Sequence, residues 1–390
     1  MAKKVLIIGA GFSGSVLASQ IAQDEKLHID IIDKRDHVAG NCHTDRCPET
    51  GVMVHAYGAH IFHTSSSRVW QFVNKFGDFR TFINNPFALY EGDLYSLPIN
   101  LSTLSQFFRR RFSPESARKF LEKELQRKDI TDPQNFEEQA LRFLGDDLYY
   151  AFFYGYTKKQ WGREPRELPA SILKRLPVRF TYNSSYYASV YQGIPAEGYT
   201  TLIQRLLSYS NIKVHLNTDW RGFPIDAYDH VVVTSPLDEF FNYDLGRLRY
   251  RTVFWEKEIE EGDRFGHPAV NYPDLNVECT RQREHKHYCP WETHDRTVIF
   301  TEYSKETEEG DDPYYPLSLA EDKVICKAYI QKALDLEGFT FLGRLATYRY
   351  LDMHQVIQEA LEVADSYWES GQDLKRIPRF HHNVLTRVGL

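Results

Sequence analysis

No apolar run in the 390-residue sequence approaches the ~20 residues that a membrane-spanning helix needs, which argues against a helical membrane protein. Excess positive charge is also missing. With 47 Lys and Arg against 54 Asp and Glu, the net charge of −7 gives no general attraction to nucleic acid or anionic membranes. Any bound phosphate must therefore be met by local arginines. Cysteine is sparse: Cys42, Cys47, Cys279, Cys289 and Cys326 are odd in number and fit neither a zinc ribbon nor a disulfide framework. They read as reduced thiols, and no metal site is expected. The chain has no Ser-His-Asp elbow, no HExxH, no internal repeat and no low-complexity segment. Met1 runs almost directly into the strand-like Val5–Ile8, which leaves no room for a secretory segment and predicts a cytoplasmic protein. What the chain does have is aromatics: 25 Tyr, 25 Phe and 6 Trp, with many tyrosines in polar surroundings, suited to stacking and to hydrogen bonds with phosphates or hydroxyls.

The length implies more than one core. A strand at Lys4–Ile8, a glycine turn, a helix over about Ser15–Gln23 and a strand at Ile29–Ile32 make a βαβ unit, so the fold class is α/β with a Rossmann-like domain. Returning pieces of that domain are expected in a helix near Thr200–Tyr209, strands at Ile212–Leu216, Val231–Thr234 and Phe339–Leu342, and a helix from about His354 to Trp368. The pattern turns helical between Leu101 and Arg163, with starts at Ser113-Pro114 and Asp132-Pro133 and the apolar series Phe136, Ala140, Phe143, Leu144 and Leu148. Strand-like runs at Phe87–Leu97, Phe180–Gln192, Thr252–Glu258 and Thr297–Tyr303 suggest a twisted antiparallel sheet. The expected division is a discontinuous dinucleotide-binding domain (1–80, 195–243, 338–390), a helical domain (100–170) and a sheet domain (81–99, 171–194, 244–337).

Gly9, Gly11 and Gly14 form GxGxxG between an apolar strand and a helix, with Phe12 and Ser13 inside the motif. The glycines permit a tight turn and let a pyrophosphate approach the helix N-terminus, where free N–H groups stabilise negative charge. Asp33, at the end of the second strand, suits the adenosine ribose hydroxyls. A second polar loop follows at once, through Lys34, Gly40 and Asn41, and favours FAD over NAD.

Several long strings now carry a family resemblance: Tyr57–Thr64, Tyr95–Leu101, Gly155–Trp161, Glu167–Phe180 and Tyr348–Met353. Through them the chain resembles the prokaryotic UDP-galactopyranose mutases from Lys4 to about Glu369. The resemblance implies a homodimeric isomerase that interconverts UDP-galactopyranose and UDP-galactofuranose. In that family reduced FAD attacks the anomeric carbon through N5 and UDP leaves. NAD(P)H or another reductant keeps the flavin reduced.

The same resemblance assigns the site. Arg175 and Arg281 match two phosphate-binding arginines, and a guanidinium suits that task through its permanent charge and planar fork of donors. Read without the resemblance, Arg281 is a surface ion-pair partner, whereas Arg175, between apolar Leu173 and Leu176, fits either reading. Tyr186, Tyr315 and Tyr350 match tyrosines on the diphosphate, whose phenols donate without adding charge; Tyr315 also fits a rigid turn in Asp312–Pro316. Phe152, Phe153, Tyr156, Thr157, Trp161 and Asn271 match the part that holds the nucleotide, although the aromatics among them also suit helix packing. His60 and His63 fall in the flavin-adjacent segment. Gly343, Arg344, Tyr350, Leu351, Asp352 and Met353 precede a helix whose N-terminus suits flavin oxygens. Residues 171–187 are expected to close as a lid.

The chain departs from the family pattern at Ala39, Ser235 and Ala346, where glycine is usual, and at Glu278-Cys279, where Pro-Tyr is usual; Arg283 adds a positive charge. These changes leave open a related substrate, UDP-N-acetylgalactosamine or a dTDP-deoxyhexose. A flavin amine oxidase or desaturase is the rival from another reaction class, since its dinucleotide domain would look the same.

Overall fold

The computed structural model describes residues 2–175 and 178–388, without the side chains of residues 171, 174, 175, 383, 387 and 388. Five parallel strands form its first layer, in the order Ile212–His215, Leu27–Ile32, Lys3–Ile8, His230–Val233 and Phe339–Phe341. Both faces of this sheet are covered, which is why Val5–Ile8 and Val231–Val233 are apolar without alternation. On one face, the helices Phe12–Ile21, Gly198–Leu206 and Met353–Glu369 share a core with Val5, Ile7, Ile29 and Val232.

On the other face, Leu6, Ile8, Val231 and Val233 meet Cys326, Tyr329, Ile330 and Ala333 of the helix Ala320–Leu334. This helix lies inside the stretch 244–337 that the sequence suggests is sheet domain, yet it packs on the parallel sheet. Its buried face includes Asp322 while Val324 on the opposite side is 71% exposed, so periodicity does not announce it.

The inserted helical layer contains Leu101–Phe107, Pro114–Phe120, Phe136–Tyr149 and Gly155–Trp161. Ser113 caps the second of these, and Pro114 opens it, as the sequence predicts. The next start falls at Asn135 rather than Asp132-Pro133: the Asn135 side chain accepts from Glu138 N at 2.9 Å. Phe136, Ala140, Leu144 and Leu148 are buried, but Phe143 is 49% exposed. Phe143 therefore does not belong to the core face.

A seven-stranded sheet forms the third layer, in the order Tyr315–Pro316, Tyr250–Glu261, Arg296–Glu306, Arg281–Glu284, Ala269–Asn271, Phe87–Tyr90 and Asp93–Ser96. It is antiparallel except where Ala269–Asn271 runs parallel to Phe87–Tyr90. The expected strand Phe180–Gln192 does not form, and only Tyr191–Pro195 pairs, with Phe62–Thr64 and Phe79–Thr81. Side-chain turns compete with pairing before it, since Asn183 accepts from Ser185 N at 2.8 Å and Ser185 donates to Tyr187 O at 2.8 Å.

Four imidazoles are held neutral inside this fold. Burial pushes His60 and His230 down to about 4 and His285 to about 3, and it takes His55 well below its ordinary value. Their depressed folded values mean that the unfolded chain binds more protons once the pH falls below about 6.5. The stability they contribute is complete above that pH and is lost as the pH falls toward 4. Calorimetry at pH 5 in buffers of different ionisation enthalpy should show net proton uptake on unfolding, with the melting temperature rising between pH 4.5 and 7.

Candidate active site

The glycine motif has the shape its spacing predicts. Gly9 sits at φ +110°, and a Cβ there would lie 2.1 Å from Thr234 Oγ1; one on Gly14 would lie 2.3 Å from Gly9 O. Gly11 caps the helix Phe12–Ile21 without a side-chain acceptor. The first-turn N–H groups are thus left for a ligand. Asp33 braces this turn through its two oxygens, accepting from Ala10 N at 2.8 Å and from Arg35 N at 3.0 Å. The following loop closes back on the motif, with Ala39 N donating to Ala10 O at 2.9 Å. Ala39 holds φ +77° and is 1% exposed, so this non-glycine residue is strained by roughly 1 kcal/mol. Ser235 and Ala346, in contrast, are not in the left-handed region.

One cavity of about 940 Å³ runs between the three layers. At one end it is lined by Gly9, Gly11, Phe12, Ser13, Asp33 and Lys34, with Gly40 and Asn41 beside them. Gly14 and Gly343 do not line it. They allow close packing instead, since a Cβ on Gly343 would lie 2.1 Å from Ser13 Oγ. Arg344 pins the turn before the long helix by donating to Leu351 O at 3.0 Å and to Tyr314 O at 3.3 Å, with Tyr350 under its guanidinium. Asp352 caps the helix Met353–Glu369. His63 stacks on Tyr187 with ring centres 3.7 Å apart, and its Nδ1 meets Ser189 Oγ at 3.0 Å. His60 Nδ1 faces Gly58 O at 2.6 Å.

At the other end, Arg281 and Arg283 share the buried carboxylate of Glu302. Arg281 Nε lies 3.0 Å from Oε1, without hydrogen-bond alignment, and Arg283 Nη2 lies 2.9 Å from Oε2. Burial alone would raise the Glu302 carboxyl, but the two guanidiniums outweigh it and keep the group ionised. For Arg281, burial likewise favours the neutral form and is overcome, mainly by Glu302. A guanidinium hydrogen of Arg281 is donated to the Tyr156 hydroxyl. Tyr315 stacks on Tyr350 at 5.6 Å and approaches Trp161 at 6.4 Å.

Thr157, Tyr186, Asn271, Phe152 and Phe153 also line the cavity. Asn271 spends one donor on Phe87 O at 2.9 Å. Phe152 packs on Tyr90, Tyr95 and Phe107, so it serves the helical core as well as the cavity wall. The side chain of Arg175 lies outside the described residues, as do Leu176, Pro177 and hence part of the expected lid.

Sequence reasoning missed Arg35, which binds Asn41 Oδ1 at 2.8 Å and Asp312 at 2.7 Å while covering Tyr57. Its place two residues after Asp33 was the available signal. Glu302 was missed as well, since its role arises from pairing with a strand about twenty residues away.

A Rossmann-like domain opening on a cavity that paired arginines and stacked tyrosines also line has the form of a dinucleotide-binding enzyme. The family model for UDP-galactopyranose mutase matches residues 151–350, and that for an NAD(P)-binding Rossmann-like domain matches residues 7–76. A probable UDP-galactopyranose mutase of Klebsiella pneumoniae is 46% identical, over 97% of this chain and 98% of that protein. A dTDP-fucopyranose mutase of Escherichia coli is also 46% identical, over 95% of this chain and 100% of that protein. The crystal structure of a reduced UDP-galactopyranose mutase superposes with a TM-score of 0.69 at 14% identity, covering 100% of this chain and 99% of that one. The chain belongs to the UDP-galactopyranose mutase family, a family of flavin-dependent isomerases. Among the described residues, no helix is long and apolar enough to cross a membrane.

Proposed function

We propose that the protein interconverts UDP-galactopyranose and UDP-galactofuranose, using bound FAD in its reduced form. The observation that carries this reading is the continuity of one cavity from the glycine turn to the arginine pair. The residues present fit FAD: the turn has room only for glycine at positions 9 and 14, a helix N-terminus is left uncapped, and Ser235 Oγ has no hydrogen-bond partner among the described residues. Asp33, Lys34, Gly40 and Asn41 would hold the adenosine half, and His60, Arg344 and Leu351–Met353 the ring half. When bound and reduced, the flavin supplies an electron-rich nitrogen as nucleophile toward the anomeric carbon.

The chain's own residues then have three tasks. Arg281, with Arg175, meets the negative charge that grows on the departing diphosphate, and the Tyr186, Tyr315 and Tyr350 hydroxyls donate to its oxygens. Phe152, Phe153, Tyr156, Thr157, Trp161 and Asn271 position the nucleoside. His63, held between Tyr187 and Ser189 in the flavin-adjacent segment, would orient the flavin N5 edge or the lid. On this reading the enzyme is a cytoplasmic homodimer served by NAD(P)H or another reductant.

A second reading has a specific support, the equal identity to the dTDP-fucopyranose mutase. It keeps the chemistry and changes the sugar nucleotide. Turnover of UDP-galactofuranose and dTDP-fucofuranose by the dithionite-reduced protein, followed by chromatography, separates the two. The first reading expects a kcat/KM at least roughly tenfold higher for the UDP sugar. A reversed ratio establishes the second, and conversion of neither overturns both.

A further inference from the structure

Side chains two residues apart on a strand share a face, so Arg283 enters the same cavity as Arg281 from the strand Arg281–Glu284. Arg283 is 6% exposed. Its Nη2 is taken by Glu302, but its Nη1 has no hydrogen-bond partner among the described residues. That nitrogen points toward Gly58, where a Cβ would lie 2.8 Å away; any side chain at position 58 would crowd it. Two guanidiniums on one carboxylate leave this part of the cavity with a positive charge in excess. The surrounding imidazoles of His55, His60 and His285 do not add to it, because burial keeps them neutral. An N–H of a buried cation without an acceptor is costly, and a ligand oxygen would satisfy it.

A sugar nucleotide is linear: base, ribose, diphosphate, sugar. Tyr156 adjoins Arg281 on the side of the helical layer, whereas Arg283 adjoins Gly58 on the side of His60. With the diphosphate at Arg281, as proposed above, the sugar extends past that arginine toward Arg283. We infer that Arg283 is a specificity-determining residue whose Nη1 donates to an oxygen of the hexosyl ring, either a hydroxyl or a carboxylate. This rests on the proposed orientation of the nucleotide, but not on the outcome of the reaction.

The test is titration calorimetry of the flavin-loaded protein with UDP-galactose, its four monodeoxy analogues at C2, C3, C4 and C6, and UDP-galacturonate. The wild type should bind one deoxy analogue about tenfold or more weakly than UDP-galactose, and Arg283→Met should reduce that ratio to about twofold or less. The ratio matters because Arg283→Met also leaves Arg281 and Glu302 as a neutral pair, which weakens every UDP ligand by a common factor. Tighter binding of UDP-galacturonate that disappears in the variant would identify the oxygen as a carboxylate. Arg283→Lys, which keeps the charge, should retain part of the discrimination and provides a second variant if the methionine protein does not fold. An unchanged deoxy profile in the methionine variant, or in the lysine variant if the methionine protein does not fold, together with an unchanged ratio of UDP-galacturonate to UDP-galactose affinity, overturns the inference. So does a shift of the flavin midpoint potential with the sugar ratios unaltered, which would turn this cation toward the cofactor instead. Failure of the mutase reading looks different: sugar discrimination by Arg283 without any pyranose–furanose conversion.

Discussion

Arg281→Ala should lower kcat of the reduced enzyme about a hundredfold while leaving its flavin content unchanged. The magnitude follows if ~2.7 kcal/mol of charge-assisted hydrogen bonding to the diphosphate is realised only as the bond to the sugar breaks. Two features localise the effect to turnover. The partners of Arg281 are Glu302 and Tyr156, neither of which belongs to the glycine turn, so the substitution removes no contact to that turn. Glu302 also keeps Arg283 as its partner, so the substitution does not strand a buried carboxylate. Steady-state rates and the flavin absorbance of the purified variant check both halves. An apoprotein would mean that this arginine holds the cofactor, and an unchanged kcat would mean that it does not meet the leaving group.

Glu302→Gln acts on the same cluster with the opposite consequence. The carboxylate is 1% exposed and neutralises Arg281 and Arg283 together, besides accepting from the Thr280 hydroxyl at 3.1 Å. Without its charge, two guanidiniums face each other in a buried setting. Breaking a buried pair from one side costs about 3–5 kcal/mol. The variant should therefore unfold at clearly lower denaturant concentration than the wild type, and UDP should restore part of the loss by supplying negative charge. A midpoint equal to that of the wild type would show that water already screens the cluster.

The parts of this molecule that were legible in the sequence are those written locally. The strand, GxGxxG and helix at residues 3–21 carry their own signals, as does the Ser113-Pro114 cap. Arg281 was legible only through family resemblance, because by itself an arginine on a polar strand looks like a surface residue. Its partner Glu302 depends on strand register, which no window of sequence contains. Position 283 could be seen as an added charge, but not as a buried one. The tyrosine-rich stretch before Tyr191 was misread as a strand because its aromatic residues mimic the composition of one. Tyr186 and Tyr187 line the cavity instead. The strain at Ala39 was equally hidden, since alanine gives no sign of the left-handed backbone it occupies.

The central claim is that the cofactor's reduced state, held by this cavity, performs the isomerisation. The most direct test is to compare the dithionite-reduced and air-oxidised protein in converting UDP-galactofuranose under the same conditions, without added reductant in the oxidised arm. The account predicts conversion by the reduced protein and almost none by the oxidised one. Equal rates in the two arms, or turnover accompanied by hydrogen peroxide, would contradict it.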